Sequence, residues 1–441
     1  MAAESNSANF LPGVPLRGNS SDANSPETTS NIQSIKRYMA KLIESLCVSI
    51  PPPIISAQTI EETRFVHMLN DYQMQRTSSF FMLPPPRVHA QVMKQLEKSW
   101  MTIWVLYLGV HLFETLDQDL RDREIRGYIG WIDKVEQKIT SPSVKSSSPK
   151  DAADRLMAQL ELAYLGFIAI GNNVGYRLFR KSLPEFLRLV AADPNLVVEH
   201  SNGGLLVSFP RTFGAPLQEI KRFVVYDTAT AFILGIPPLV EYDYDGKCDI
   251  MSHGSQWIHG VPVPLVEIIS QVNSWRSGSR TMLDDWQALE HRAMTWEAEL
   301  LPIGDGDSRM NIARLAIQEG WRHAVLIYIY MGMCGVSSHD SRVQASITQI
   351  VQLGGSVTGL SIGIHMLMHY VVAGLGARYE QQRSVIREKL LLLKGKRVWL
   401  FRGPEFSQVL DHLWHGVGAG GAPVMWDDYV RSGSTILRIG D

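Results

Sequence analysis

The clearest catalytic pattern in the chain is a serine between two glycines, in the run Gly359-Leu360-Ser361-Ile362-Gly363. A Gly-x-Ser-x-Gly run is typical of the strand-to-helix turn that exposes the nucleophile of a serine hydrolase. The residues before it, 353–358, instead indicate a helix end and a loop, and the chain lacks the strand–helix alternation of such enzymes. We therefore expect Ser361 to begin a helix, and a serine hydrolase using Ser361 remains an alternative function.

Two histidine pairs have a spacing that places both rings on one helix face. His365 and His369 are four residues apart, as zinc ligands can be, but no Glu follows His365 and no third ligand stands out. His412 and His415 are three residues apart, with Asp411 adjacent. We expect both pairs to be structural, and we predict no catalytic, cofactor-binding or metal-ligating residues in the chain.

Two loops have compositions that ion- or phosphate-binding loops share. Residues 416–421 are glycine-rich, but they follow a helix and no Lys-Ser/Thr pair comes after them, which favours a helix cap and a linker. The run Tyr242-Asp243-Tyr244-Asp245-Gly246 is acidic, but it lacks the ligand spacing and the closing Glu of a calcium loop. We expect this second segment to be a solvated turn.

Composition describes a globular chain with an ample core. The chain has 441 residues, of which 45% are hydrophobic and 20% charged, and its net charge of -2 gives no bulk attraction to nucleic acid or anionic lipid. The cysteines Cys47, Cys248 and Cys334 are few and far apart, which argues against a disulfide framework and against a cysteine-only zinc site. The polar N-terminus lacks the features of a signal peptide, so we expect the protein in the cytosol or the nucleus.

Helix signals recur along the chain. Ser148 can cap a helix that has Pro149 at its first position and Asp151 in its first turn. Apolar residues then follow at helical spacing and predict one buried face: Leu156, Leu160, Ala163 and Phe167. Pro404 begins another such helix. The sequence also predicts a capping box from Ser182 to Glu185 and a helix that carries Trp286 to Leu300 on one stripe and ends at Pro302.

These signals predict an all-α fold, either a large multi-helix bundle or an irregular helical array with a disordered N-terminal tail. We assign residues 1–32 to the tail and residues 33–441 to the helical domain, with an exposed Ser/Pro-rich loop near 139–150. Two short apolar runs, 205–209 and 398–401, can be strands or buried turns. Residues 359–377 carry no Asp, Glu, Lys or Arg, yet a helix buried on all sides explains them better than a membrane span.

Three blocks in the C-terminal third resemble a known family. The first holds Gly320-Trp321-Arg322-His323-Ala324, Tyr328-Ile329-Tyr330-Met331-Gly332-Met333-Cys334-Gly335 and Asp340-Ser341-Arg342-Val343-Gln344. The second holds His369-Tyr370-Val371-Val372-Ala373-Gly374 with Ala377-Arg378-Tyr379-Glu380 and Arg383. The third holds Leu413-Trp414 and Trp426-Asp427-Asp428-Tyr429-Val430. Together with residues 222–237, their order and spacing resemble the fungal-specific transcription factor domain, the regulatory region of fungal zinc binuclear cluster factors.

The resemblance implies an all-α regulatory domain in the nucleus that is not an enzyme and needs no cofactor. It implies transcription machinery or other regulatory proteins as partners, and it leaves room for a small-molecule effector and a homodimer, with no membrane role. The zinc cluster of the family uses six closely spaced cysteines, whereas this sequence holds three scattered ones. We therefore expect no direct sequence-specific DNA binding from this chain. Trp321, Tyr328 and Tyr330 are expected in the core, and Arg322 and Arg342 are expected to pair with Glu319 or Asp340.

Overall fold

The structure is a computed structural model that describes residues 80–82, 99–117, 122–141, 148–199, 203–248, 254–298, 308–393 and 399–439. All of these residues belong to one unit of the chain, Arg64–Asp441. The tail predicted for residues 1–32 and the central half of the loop predicted near 139–150, residues 142–147, lie outside the described residues. The described part is overwhelmingly helical, which confirms the all-α prediction.

The first half of the described chain is a set of packed helices that ends in a small sheet. Its elements are α1 (Trp100–Asp117), α2 (Asp122–Thr140), α3 (Pro149–Ala169), α4 (Asn172–Arg180), α5 (Leu183–Ala192), β1 (Val197–Glu199), β2 (Leu205–Ser208), α6 (Phe209–Gly214), α7 (Gln218–Leu234) and β3 (Tyr242–Asp243). Helix α3 lies at the centre of this half because it packs against α1, α4 and α5.

The second half is built from longer helices interrupted by short irregular turns. Its elements are α8 (Gly254–His259), α9 (Val263–Arg276), α10 (Trp286–Thr295), α11 (Ser308–Tyr328), a π-helical turn (Ile329–Met333), α12 (Ser341–Ser356), a 3₁₀ turn (Ser361–Met366), α13 (Leu367–Gly376), α14 (Glu380–Leu392), α15 (Gly403–His415) and α16 (Trp426–Leu437). Helix α11 packs against both α12 and α13, while α15 packs against α16.

The start of α3 follows the sequence prediction closely. The Ser148 hydroxyl accepts a hydrogen bond from the Asp151 N–H at 3.2 Å, and Pro149 occupies the first turn, where its missing N–H costs nothing. The predicted inward face is buried along its whole length: Leu156, Leu160, Ala163 and Phe167. Pro404 likewise lies in the first turn of α15. Local capping chemistry and apolar spacing are therefore sufficient to define these two helices.

Helices α3 and α4 approach each other unusually closely. A Cβ atom at Gly175 of α4 would overlap the Phe167 ring of α3, so only a glycine fits at that contact. The Arg155 guanidinium of α3 is buried and lies 3.2 Å from the Glu185 carboxylate of α5, while its other end donates a hydrogen bond to the Ile139 carbonyl oxygen at 2.9 Å. This ion pair joins α2, α3 and α5 in the interior.

The three strands form one small sheet in the order β1-β2-β3. Strands β1 and β2 are antiparallel, with Val197 opposite Val207, and β2 and β3 are parallel, with Val207 opposite Tyr242. Of the two apolar runs that the sequence left open, the first is strand β2 and the described part of the second, Trp399 to Phe401, is a buried turn.

One helix cap and one helix end differ from the sequence prediction. The capping box at Ser182 is wrong although Ser182 stands directly before α5, because the Ser182 hydroxyl donates to the Phe179 carbonyl oxygen at 2.7 Å and Glu185 pairs with Arg155 instead. Helix α10 ends at Thr295, before Leu300 and Pro302, which lie outside the described residues; Trp296 leaves the helix in an extended conformation. At Glu185 a tertiary ion pair overrides the local capping signal.

In the described ranges, none of the helices combines the length and the apolar character that crossing a bilayer requires. Residues 359–377, which the sequence raised as a question, divide into a turn, a short 3₁₀ segment and α13, and the side chains of α13 are buried against neighbouring helices.

Candidate functional site

Ser361 does not lie in a nucleophile elbow. It is exposed at the start of the 3₁₀ turn, and the element before it is helix α12, where a hydrolase has a strand. Among the described non-glycine residues, only Arg438 has a positive φ angle, so the backbone at Ser361 lacks the strained turn that exposes such a nucleophile. The nearest histidine in sequence, His365, is fully buried and packs edge-on against Phe81. The surroundings of Ser361 therefore fit the start of a helix.

His369 is a core residue. Its Nε2–H donates to the Ile317 carbonyl oxygen at 3.1 Å, and its ring packs on Trp321 with the centroids 4.5 Å apart. Burial lowers the pKa of His369 to about 3, so the ring is neutral at physiological pH. His365 is fully buried as well. His369 therefore connects α13 to α11, and within the described ranges no group of three or more His, Cys, Asp or Glu side chains is placed to hold a metal ion.

The second histidine pair and the glycine-rich segment are parts of one structural junction. His412 contacts the Ser432 hydroxyl at 3.1 Å, and Asp411 forms an ion pair with Arg387 at 3.0 Å. The glycine-rich residues 416–421 follow α15 directly, as the sequence predicts. The buried Arg383 guanidinium donates to the Gly418 carbonyl oxygen at 2.7 Å and to the Ala377 carbonyl oxygen at 3.0 Å. This segment is a helix end fastened by an arginine.

The sequence blocks that carry the family resemblance meet in one aromatic core. Phe232 of α7 and Tyr328 of α11 pack on Trp426 of α16, with centroid distances of 5.9 and 4.3 Å. The Trp414 indole N–H donates to the Gly374 carbonyl oxygen at 2.9 Å and so joins the second block to the third. Trp321, Tyr328 and Tyr330 are all buried, which agrees with the predicted core positions. The buried aromatic residues of these blocks thus contribute to the interior.

The two arginines of the first block make the expected local ion pairs. Arg322 lies 3.0 Å from Glu319, and Arg342 lies 3.0 Å from Asp340. The Arg342 guanidinium also lies over the Tyr330 ring, 4.4 Å from its centroid. Tyr330 belongs to the π-helical turn Ile329–Met333, so this pair anchors the irregular end of α11 to the start of α12.

The acidic segment 242–246 is not the solvated turn that the sequence predicts. Tyr242 and Tyr244 are buried, and only its end, at Asp245 and Gly246, is exposed. The Tyr242 hydroxyl donates to Asp227 at 3.0 Å, and the Tyr244 hydroxyl lies 2.8 Å from the Ser274 hydroxyl. The prediction fails because these partners come from α7 and α9, which are distant in sequence.

Asp227, which accepts the hydrogen bond from Tyr242, is an acid whose pKa burial shifts strongly. Its side chain is fully buried in α7 and accepts hydrogen bonds from the Leu239 N–H, at 2.7 Å, and from Tyr242. Burial raises the pKa of Asp227 to about 7, although these hydrogen bonds favour the ionised form. Burial, followed by the nearby Asp227, raises the pKa of Tyr176 to about 12. Asp227 therefore holds residues 239–242 against α7 with a carboxyl group that changes charge near neutral pH.

A cleft of about 530 Å³ lies directly beside this buried acid. Residues 204–206 and 238–240 form a wall whose side chains are apolar, and the turn after α9, residues 277–281, forms a polar one, so that polar atoms make up the larger part of the lining. Ser274 also lines the cleft and carries the hydroxyl that Tyr244 contacts, and Leu239 in the apolar wall is the residue that Asp227 holds. The volume is in the range of small-molecule sites. This cleft is the best candidate for a binding site in the described part of the chain.

Sequence reasoning did not find this cleft. The residues that line it come from three short, mostly uncharged segments of the chain, and none of these segments forms a motif. The one available signal was Asp227 in the middle of a helix that is otherwise apolar from Phe223 to Leu234, apart from its threonines. A lone acid on a helix buried on all sides requires hydrogen-bond partners, and those partners form the edge of the cleft.

The fold is thus a mainly helical body in which residues of the sequence blocks contribute to the core. Residues 223–439 match the family model for the fungal specific transcription factor domain. The match begins within α7 and runs past the end of α16, and it confirms the resemblance read from the sequence. Searches of curated proteins and of solved structures returned no match.

Proposed function

We propose that this protein is a fungal transcription regulator and that its helical body is the regulatory domain, acting in the nucleus without catalysis. The observation that carries the proposal is the family match over residues 223–439, which includes the whole aromatic core. The partners that follow are transcription machinery or other regulatory proteins. A homodimer is compatible with this role.

The surroundings of Ser361 support a regulator without catalytic activity. The serine is exposed after a helix, its backbone is unstrained, and the adjacent His365 is committed to the core. A fluorophosphonate probe should therefore leave the chain unlabelled. Labelling that disappears in the Ser361→Ala variant would refute this part of the proposal.

The cysteine content supports the proposal that these 441 residues do not themselves form the six-cysteine zinc cluster. The sequence holds three cysteines, and the two described ones, Cys248 and Cys334, are free thiols on different elements. A gel-shift with the purified chain should show only weak binding that disappears as salt rises. Tight, sequence-specific binding at physiological salt would contradict this statement.

The location of the protein in the cell distinguishes this proposal from the alternative, a helical adaptor that binds proteins and has no link to transcription. The full chain carrying a fluorescent tag should be enriched in the nucleus. The matched control is the same tagged chain with a strong export signal, which should move to the cytosol and abolish any effect on transcript levels. A diffuse cytosolic distribution of the first fusion would favour the adaptor.

A regulatory domain needs a means of changing its output, and the cleft beside Asp227 offers one. A ligand that binds there contacts residues 238–240, which Asp227 fixes to α7, and α7 also contributes Phe232 to the aromatic core. Differential binding between two packings of these elements is sufficient to shift a regulator between states. We therefore assign the small-molecule effector to this cleft.

A further inference from the structure

The cleft presents one negative and one positive side chain next to an apolar wall. Glu241 and Arg280 both line it. Within the described residues, neither side chain takes part in an ion pair, although the Glu241 carboxylate reaches the backbone of Arg280. The Glu241 carboxylate is held in place through one oxygen, Oε1, which accepts hydrogen bonds from the Ser279 hydroxyl at 2.8 Å and from the Arg280 N–H at 3.3 Å. Its second oxygen has no hydrogen bond in the described part of the chain.

The end of α9 increases the negative character on the Glu241 side. Helix α9 ends at Arg276, next to the cleft, and the carbonyl oxygens at a helix C-terminus carry a partial negative charge. The Ser277 hydroxyl donates to the Ser274 carbonyl oxygen at 2.9 Å, so its lone pairs remain as acceptors. This side of the cleft therefore favours a ligand group that is cationic and rich in N–H donors.

The opposite charge and the apolar wall define the rest of the ligand. Arg280 is exposed and offers a guanidinium to a carboxylate, which it can bind through two parallel hydrogen bonds. Leu206 and Leu239 face the same space with apolar side chains, and Leu205 at the rim is 74% exposed. A ligand that satisfies all three features carries an ammonium, a carboxylate and an apolar body.

We propose that the cleft binds a free amino acid with a large apolar side chain. Its ammonium group binds the open oxygen of Glu241 and the end of α9, its carboxylate binds Arg280, and its side chain packs on Leu206 and Leu239. The inference rests on the proposed function, since it gives the chemical class of the effector. Its binding test, however, needs only the purified chain.

Isothermal titration of the full chain with L-phenylalanine tests the proposal, with phenethylamine and 3-phenylpropionate as the probes that lack one charge each. L-Phenylalanine should bind, and each analogue should bind at least ~10-fold more weakly, which is about 1.4 kcal/mol. Glu241→Gln should weaken phenylalanine but not 3-phenylpropionate, and Arg280→Gln should weaken phenylalanine but not phenethylamine.

Glu388→Gln is the matched control, because Glu388 is exposed on α14 and does not line the cleft, so this variant should bind like the wild type. Three outcomes would each overturn the inference: no heat with L-phenylalanine, L-leucine or L-tryptophan up to ~10 mM, equal binding of the singly charged analogues, or unchanged binding in both cleft variants. The location and reporter tests of the regulatory function are independent of these results.

Discussion

Replacing Asp227 by Asn should remove a pH dependence from the stability of the protein. Burial raises the pKa of this carboxyl from 3.8 to about 7. Between these two pH values the folded state keeps a proton that the unfolded state has released, so the free energy of unfolding falls as the pH rises. The contribution of this group to stability is therefore complete below pH 3.8. Its contribution is lost as the pH rises through about 7, because the buried carboxylate must then be ionised.

The structure sets the size of the effect. The full difference between the two pKa values corresponds to about 4 kcal/mol, and about 3 kcal/mol of it is lost between pH 5 and pH 8. The Asn side chain is neutral at both pH values and keeps an oxygen that accepts from the Leu239 N–H, which lies 2.7 Å from the carboxylate in the wild type. The variant should therefore gain about 3 kcal/mol relative to the wild type between pH 5 and pH 8.

Urea unfolding of both proteins at pH 5 and pH 8 measures this quantity as a difference, in which the other titrating groups cancel. Asp245→Asn is the control, since Asp245 is exposed at the end of the same segment and its replacement removes one carboxylate while leaving the buried Asp227 in place. An Asp227→Asn difference that stays constant within ~0.5 kcal/mol across this range would refute the reasoning.

Two further substitutions test the packing of the first half. Gly175→Ala should lower the free energy of unfolding by ~1–3 kcal/mol, because the new methyl group overlaps Phe167. The control Gly127→Ala lies in a helix with open space around it and should leave the free energy of unfolding unchanged or raise it by up to ~1 kcal/mol. Equal effects of the two variants in thermal unfolding would contradict the close approach of α3 and α4. Arg155→Met should lower the free energy of unfolding, measured in urea, by ~3 kcal/mol. The reason is that the buried Glu185 loses its buried partner and keeps only its ion pair with the exposed Arg188. The double variant Arg155→Met, Glu185→Leu should recover most of that loss, and a double variant as unstable as the single one would show that the ion pair is not the cause.

The elements that depend on local chemistry could be predicted from the sequence. Ser148 and Pro149 define the start of α3 through one hydrogen bond and one missing donor, both within four residues. The buried positions Leu156 and Phe167 follow from apolar spacing in the same way. These features need no knowledge of the remainder of the fold.

The features that failed depend on partners far away in the chain. Glu185 has the position of a capping residue, yet an ion pair with Arg155 of another helix decides its orientation. Tyr242 and Tyr244 lie in an acidic, turn-like run, and they are buried because α7 and α9 supply Asp227 and Ser274. The cleft belongs to the same group, since its walls come from segments that no spacing rule connects.

The central claim is that this helical body regulates transcription, and a reporter measurement tests it most directly. The full chain is fused to a foreign DNA-binding domain, and the output of a reporter carrying that domain's site is compared with the output for the DNA-binding domain alone. The fusion should activate or repress the reporter reproducibly. A fusion that is expressed, nuclear and bound to its site, but leaves the output unchanged, would contradict the claim.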